Sequence, residues 1–152
     1  MGLRLDQVVD GDSLKYTNLM NGKIAVLFAL IIVLILKLFF FDFCTAQGHS
    51  MEPAINDGDI LVVSLLRYGI RFPGKPGAKS AGYLIRWAQP REGEVVVFYT
   101  PAGDKAVKRC TELVDERRFY AEGDNSLSSL DSRSYGAVPV DNIIGKVLLR
   151  GF

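Results

Sequence analysis

The sequence predicts a mainly β, signal-anchored protein: an antiparallel β domain behind a single N-terminal transmembrane helix. Three observations predict it. An apolar run extends from Ile24 to Phe43; short β-branched runs bounded by Gly, Pro and Asp follow it; and residues 44–152 show little helical periodicity. At 152 residues the chain has room for one domain of modest core plus an anchor, and it shows no internal repeat.

The run IAVLFALIIVLILKLFFFDF would rise about 30 Å as a helix, the thickness of a bilayer's hydrocarbon core. It is apolar on every face, which a helix half-buried in a soluble domain does not need. Lys37 and Asp42 are its only charges, and the long stem of Lys37 can carry its ammonium to the headgroups. Arg4, Lys15 and Lys23 precede the run, whereas Cys44 to Val63 contains no Lys or Arg, so the N-terminus is expected in the cytoplasm and the β domain outside. Cys44 and Ala46 are small residues two apart, as before a signal-peptide cut, but the run is longer than a cleaved signal needs, and an uncleaved anchor is expected. The expected organisation is a cytoplasmic segment over 1–23, an anchor over 24–43 and an extracytoplasmic domain over 44–152.

Within that domain Ile60–Val63, Glu94–Tyr99 and Ile143–Leu149 read as strands, and Arg71–Ser80 as a Gly/Pro/Lys loop without core-forming power. A net charge of +1 gives no electrostatic case for nucleic acid. One histidine and two distant cysteines cannot assemble a standard zinc set, and no phosphate-cradling Gly motif opens a helix, so neither metal nor cofactor is expected.

Ser50 follows the apolar run closely, in Gly48-His49-Ser50-Met51-Glu52-Pro53. A serine nucleophile needs a base, and the only histidine, His49, would project to the opposite side of an extended backbone. A His-based triad is therefore not expected. The further blocks are Gly58-Asp59-Ile60-Leu61-Val62, Gly93-Glu94-Val95-Val96-Val97-Phe98, Lys108-Arg109, and Gly123-Asp124-Asn125 followed by Ser129, Asp131, Ser132, Arg133 and Gly136. In this order the sequence resembles the bacterial type I signal peptidases, from about Gly48 to Val147.

The resemblance implies a membrane-bound serine endopeptidase with Ser50 as nucleophile and Lys108 as general base. It implies that Ser129 positions the lysine amine, that Asp131 and Arg133 brace the site, and that signal-peptide-bearing preproteins are cut outside the cytoplasmic membrane. The lipid bilayer and the protein translocation machinery are the expected partners. Two other functions are compatible with the same residues: a maturation peptidase of a conjugation or pilus system, and a non-catalytic anchored binding domain.

An ammonium at its ordinary pKa has no lone pair at neutral pH, so Lys108 must be desolvated to act as a base; Ala106 and Val107 beside it suit that, while Lys105 lies next to Asp104. Ala46, Met51, Ile55, Leu61, Val96, Ala106 and Val107 are expected to form shallow apolar pockets that admit Ala, Gly or Ser. The Ser50 N–H is the natural first oxyanion donor; Gly48 offers no side chain for a second. Cys44 and Cys110 each lie an even number of residues from Ser50 and Lys108, which leaves two readings open: a disulfide, or two free thiols lining the cleft.

Overall fold

The computed structural model describes residues 11–71 and 82–150. The chain divides into two units at Lys37/Leu38. The first holds helix α1 (Gly11–Phe39), whose large apolar side chains from Ile24 to Leu36 are 42–62% exposed. Among the described residues no helix is long and apolar enough to cross a membrane, the described side chains of α1 covering residues 21–37.

The helix differs from the expected span at both ends. It begins at Gly11 rather than Ile24, and it stops at Phe39 because Phe41–Thr45 form strand β1. In β1 the pattern switches to alternation, with Phe41, Phe43 and Thr45 exposed and Asp42 and Cys44 half-buried, and its backbone pairs antiparallel with β2 (Ile60–Ser64) from Phe41↔Ser64 to Thr45↔Ile60. The last residues of the expected anchor thus belong to the sheet.

The second unit is mainly β. After β2 come a short hairpin, β3 (Gly69–Arg71) and β4 (Tyr83–Arg86), then β5 (Val95–Tyr99), β6 (Lys105–Leu113) and β7 (Arg118–Glu122), a one-turn helix α2 (Ser132–Tyr135), β8 (Val138–Pro139) and β9 (Ile143–Arg150). Seven strands make one antiparallel sheet in the order β1-β2-β9-β5-β6-β7-β8, with β3 and β4 as a separate pair. The three runs expected as strands are β2, β5 and β9. The expected loop lies outside the described residues from position 72 onward.

Strand β5 shows why a continuous apolar run is needed at the centre. Val96 and Phe98 enter one core with Tyr68, Cys110, Phe119, Val138 and Ile143, where the Phe98 and Phe119 rings meet edge-on at 5.7 Å. Val97 points the other way, into a second core with Ala46, Met51, Ile55, Leu61 and Val63. Covered on both faces, β5 has no use for polar alternation. The cores also decide the cysteine question: Cys110 is buried in the first, Cys44 packs against the second, and both are free thiols.

One polar cluster ties the cores together. Glu94, just before β5, accepts from Tyr68 Oη at 2.7 Å, Lys146 Nζ at 2.8 Å, Arg91 N at 3.1 Å and an Arg67 guanidinium N–H at 3.4 Å. Burial pushes the Glu94 pKa up, but the Lys146, Tyr68 and Arg91 bonds outweigh it and hold the carboxyl at about 2, against a usual 4.5.

A carboxyl with a depressed folded-state pKa stabilises the fold above its unfolded value and loses that contribution as pH falls. Glu94 should therefore contribute about 3 kcal/mol above pH 4.5, lost between pH 4.5 and 2. Glu94→Gln should lower stability at pH 7 by that order and flatten the acid limb of a Tm-against-pH curve.

Candidate active site

The loop from Ala46 to Asp59 carries Ser50, and backbone bonds fix it at both ends: Ala46 N–H to Asp59 O at 2.8 Å and Gly58 N–H to Ala46 O at 3.0 Å. Between them the Gly48 N–H donates to Asp57 Oδ1 at 2.7 Å. Gly48 has φ +83, a conformation that side-chain-bearing residues rarely adopt, so glycine is needed for the turn itself. Its N–H is committed to Asp57 and is not available as a second oxyanion donor. The Ser50 carbonyl accepts from Asn125 N–H at 3.0 Å, which joins the loop to the segment after β7. His49 turns to solvent, its ring 2.8 Å from Glu52 Oε1 and its side chain 63% exposed.

Lys108 sits in β6 opposite Val96 of β5 and is only 5% exposed. Desolvation lowers its pKa; the charge of Asp131 pulls it partly back, and the Arg133 guanidinium opposes that pull. Ser50 and Lys108 line the same cleft, of about 790 Å³, together with Ala46, Met51, Ile55, Ala106 and Val107. Lys105 also lines it, toward the β5–β6 turn.

Two expected pocket residues are not there. Leu61 and Val96 are fully buried core residues, absent from the cleft lining. Val96 is packed wholly within the Phe98 core, and its neighbour Val97 reaches the cleft instead. Val63, Val97, Ile144, Leu130 and Tyr135 add to the apolar lining, and the sequence did not single them out. Of the two thiols, Cys44 lines the cleft and Cys110 does not.

The segment from Gly123 to Arg133 closes around one buried carboxylate. Asp131 is fully buried and accepts from Gly123 N–H at 2.9 Å, from the Ser129 hydroxyl, and from the Arg133 guanidinium through both oxygens. Burial alone would push its pKa up; the Arg133, Gly123 and Ser129 bonds hold it well below the usual carboxylate range. The Ser129 proton goes to Asp131, and Ser129 and Lys108 share no hydrogen bond in this structure. Gly123 is a close-approach glycine: a Cβ there would lie 2.3 Å from Ser129 Oγ and 2.4 Å from Ser50 O.

Three residues beyond the expected set hold this segment in place. Arg109 grips Asp124 with Nε and Nη2 at 2.8 and 2.6 Å and donates its third arm to Gly93 O at 2.8 Å. Asp124 adjoins Asn125, so this clamp reaches the Ser50 carbonyl through one backbone bond. The buried Ser132 hydroxyl accepts from Ala121 N–H at 2.9 Å and seats α2 on β7. The pairing of Arg109 with Asp124 joins residues 15 apart, which no local pattern encodes.

Among known proteins the chain is similar to mitochondrial inner membrane protease subunit 1 of Xenopus tropicalis, 34% identical over 115 residues that cover 68% of this chain and 65% of the relative. It is similar to signal peptidase I of Helicobacter pylori, 36% identical over 105 residues covering 62% of this chain and 36% of the relative. Signal peptidase I of Bacillus caldolyticus is 28% identical over 80% of this chain and 85% of its own length. The chain thus spans less than two thirds of the first two relatives. The family model described as signal peptidase, peptidase S26, matches residues 19–113 and 107–152, and the chain belongs to that family.

Proposed function

We propose that the chain is a membrane-anchored serine endopeptidase that removes N-terminal signal peptides from exported preproteins, with Ser50 as nucleophile and Lys108 as general base. The observation that carries this reading is the pairing in one cleft of a serine with a lysine whose charge is disfavoured by burial.

The neutral Lys108 amine takes the Ser50 hydroxyl proton as Oγ bonds to the scissile carbonyl carbon. The Ser50 N–H stabilises the resulting oxyanion. The Lys108 ammonium then protonates the departing amine, leaving an ester on Ser50, and the regenerated amine takes a proton from the water that hydrolyses it. Because Ser129 gives its proton to Asp131, its oxygen keeps lone pairs that suit accepting a Lys108 amine N–H. The apolar lining, with Ala46 and Met51 nearest Ser50 in sequence, favours small side chains at the first and third positions before the cut.

In this reading α1 crosses the cytoplasmic membrane through its apolar part from Ile24, with basic residues on the cytoplasmic side and the β domain outside. The bilayer and the translocation machinery are its surroundings, and exported preproteins its substrates.

Incubating the full-length chain in detergent with a preprotein, and sequencing the new N-terminus, tests the reading. Ser50→Ala and Lys108→Ala should each abolish cleavage, and Lys108→Arg should fail as well because a guanidinium stays protonated; cleavage by any of them would refute the dyad. Activity should rise with pH through the lowered Lys108 pKa, and a profile flat from about pH 5 to 9 would contradict a lysine base.

Burial of Lys108 has a cost in stability with a definite sign. Its folded pKa lies below the unfolded value of 10.5, so the unfolded chain binds more protons and stability rises with pH toward that value. Lys108→Met should thus be inactive yet melt higher than wild type at pH 7. Gly123→Ala should fold but lose activity by about 100-fold, since its Cβ displaces Ser129 or the Ser50 carbonyl.

A further inference from the structure

The cleft does not end at its apolar pockets. Beyond Cys44 it is lined by Asp42 from β1, by Thr100 and Asp104 from the β5–β6 turn and by Lys105 at the start of β6, so charged groups join the apolar lining. Cys44 lies between these groups: burial raises the thiol's pKa, and it registers both the Asp42 carboxylate and the Lys105 ammonium. The described internal bond of the Asp42 carboxylate is to the Phe43 N–H at 2.9 Å, which engages one oxygen, and Asp42 has no ion-pair partner among the described residues.

Strand β1 relates these charged groups to Ser50 by a ruler. It is the edge of the sheet, paired with β2 on one side only, and an extended chain can add to such an edge. Asp42, Cys44 and Thr45 of the strand and Ala46 just past its end line the cleft, and of these Asp42, Cys44 and Ala46 follow one another at two-residue steps of about 6.6 Å. A substrate running alongside toward Ser50 has the same two-residue repeat. With the side chain before the cut beside Ala46, the third faces Cys44 and the fifth faces Asp42.

We propose that Asp42, with Asp104 and Lys105 on the facing wall, makes the cleft select substrates by charge at the fifth residue before the cut, favouring a cationic side chain over an anionic one. The inference rests on the assignment of Ser50 and Lys108 above and extends it from size selection to charge selection. Asp42 is the specificity-determining residue; Lys105 works against it and limits the preference.

Peptides with Ala at the first and third positions and Lys, Gln or Glu at the fifth, cleaved by the full-length chain in detergent, test this. A half-exposed ion pair is worth up to about 1 kcal/mol, so exchanging attraction for repulsion should give kcat/KM for Lys over Glu of about fivefold. Asp42→Asn should bring that ratio near one, Asp42→Lys should invert it, Lys105→Gln should raise it, and 0.5 M salt should reduce it in the wild type. A wild-type ratio of one, or a ratio unchanged in both Asp42 variants while Ser50-dependent cleavage persists, overturns the charge selection alone. Absence of Ser50-dependent cleavage of every peptide overturns the dyad, and the charge selection with it.

Discussion

Keeping one amine dry is the constraint on which the rest of this structure depends. A lysine in solution is a cation, and a strand exposed on one face would leave it so. Lys108 is instead placed opposite Val96 in a strand flanked by β5 and β7, where burial makes its charged form unfavourable. The two cores on either side of β5 pack beside that position, so the same strands that build the cores also bury most of the lysine.

Dryness would be undone by an unbalanced carboxylate nearby, because an anion favours the ammonium. Asp131 is such a carboxylate, fully buried and felt by Lys108. The Arg133 guanidinium covers both its oxygens, Gly123 N–H and Ser129 complete its shell, and the guanidinium charge offsets part of the pull that Asp131 exerts on the lysine. The same set of bonds aligns Ser129, and Gly123 must lack a side chain for them to close against the Ser50 carbonyl. Electrostatic balance and steric fit therefore rest on the same few residues.

Outside this shell, two clamps carry the geometry to the sheet. Arg109 holds Asp124, and through Asn125 the position of the Ser50 carbonyl, while Glu94 gathers Arg67 and Tyr68 from one part of the chain and Lys146 from another. Both use buried or half-buried carboxylates with several donors each, an arrangement that fixes direction as well as distance. A site assembled from the Ala46–Asp59 loop, β6 and the segment after β7 needs such cross-links, because these pieces lie far apart along the chain.

Much of this was legible in the amino-acid order. The β-branched runs at Ile60, Val95 and Ile143 specified strands, since they suit a pleated, packed surface. What sequence could not carry were distances between segments and the parity of each strand against its neighbours. Val96 and Val97 are chemically identical, yet in the folded sheet Val96 is enclosed by the first core while Val97, packed in the second, also borders the cleft. The helix end was misplaced for a related reason: Phe41–Thr45 is apolar enough to extend a helix, but its partner Ile60–Ser64 offers it a ladder of backbone bonds. Local pattern determined which residues could be strand, core or nucleophile, whereas long-range pairing, which costs loop closure and is rewarded only in the assembled sheet, decided which of them meet.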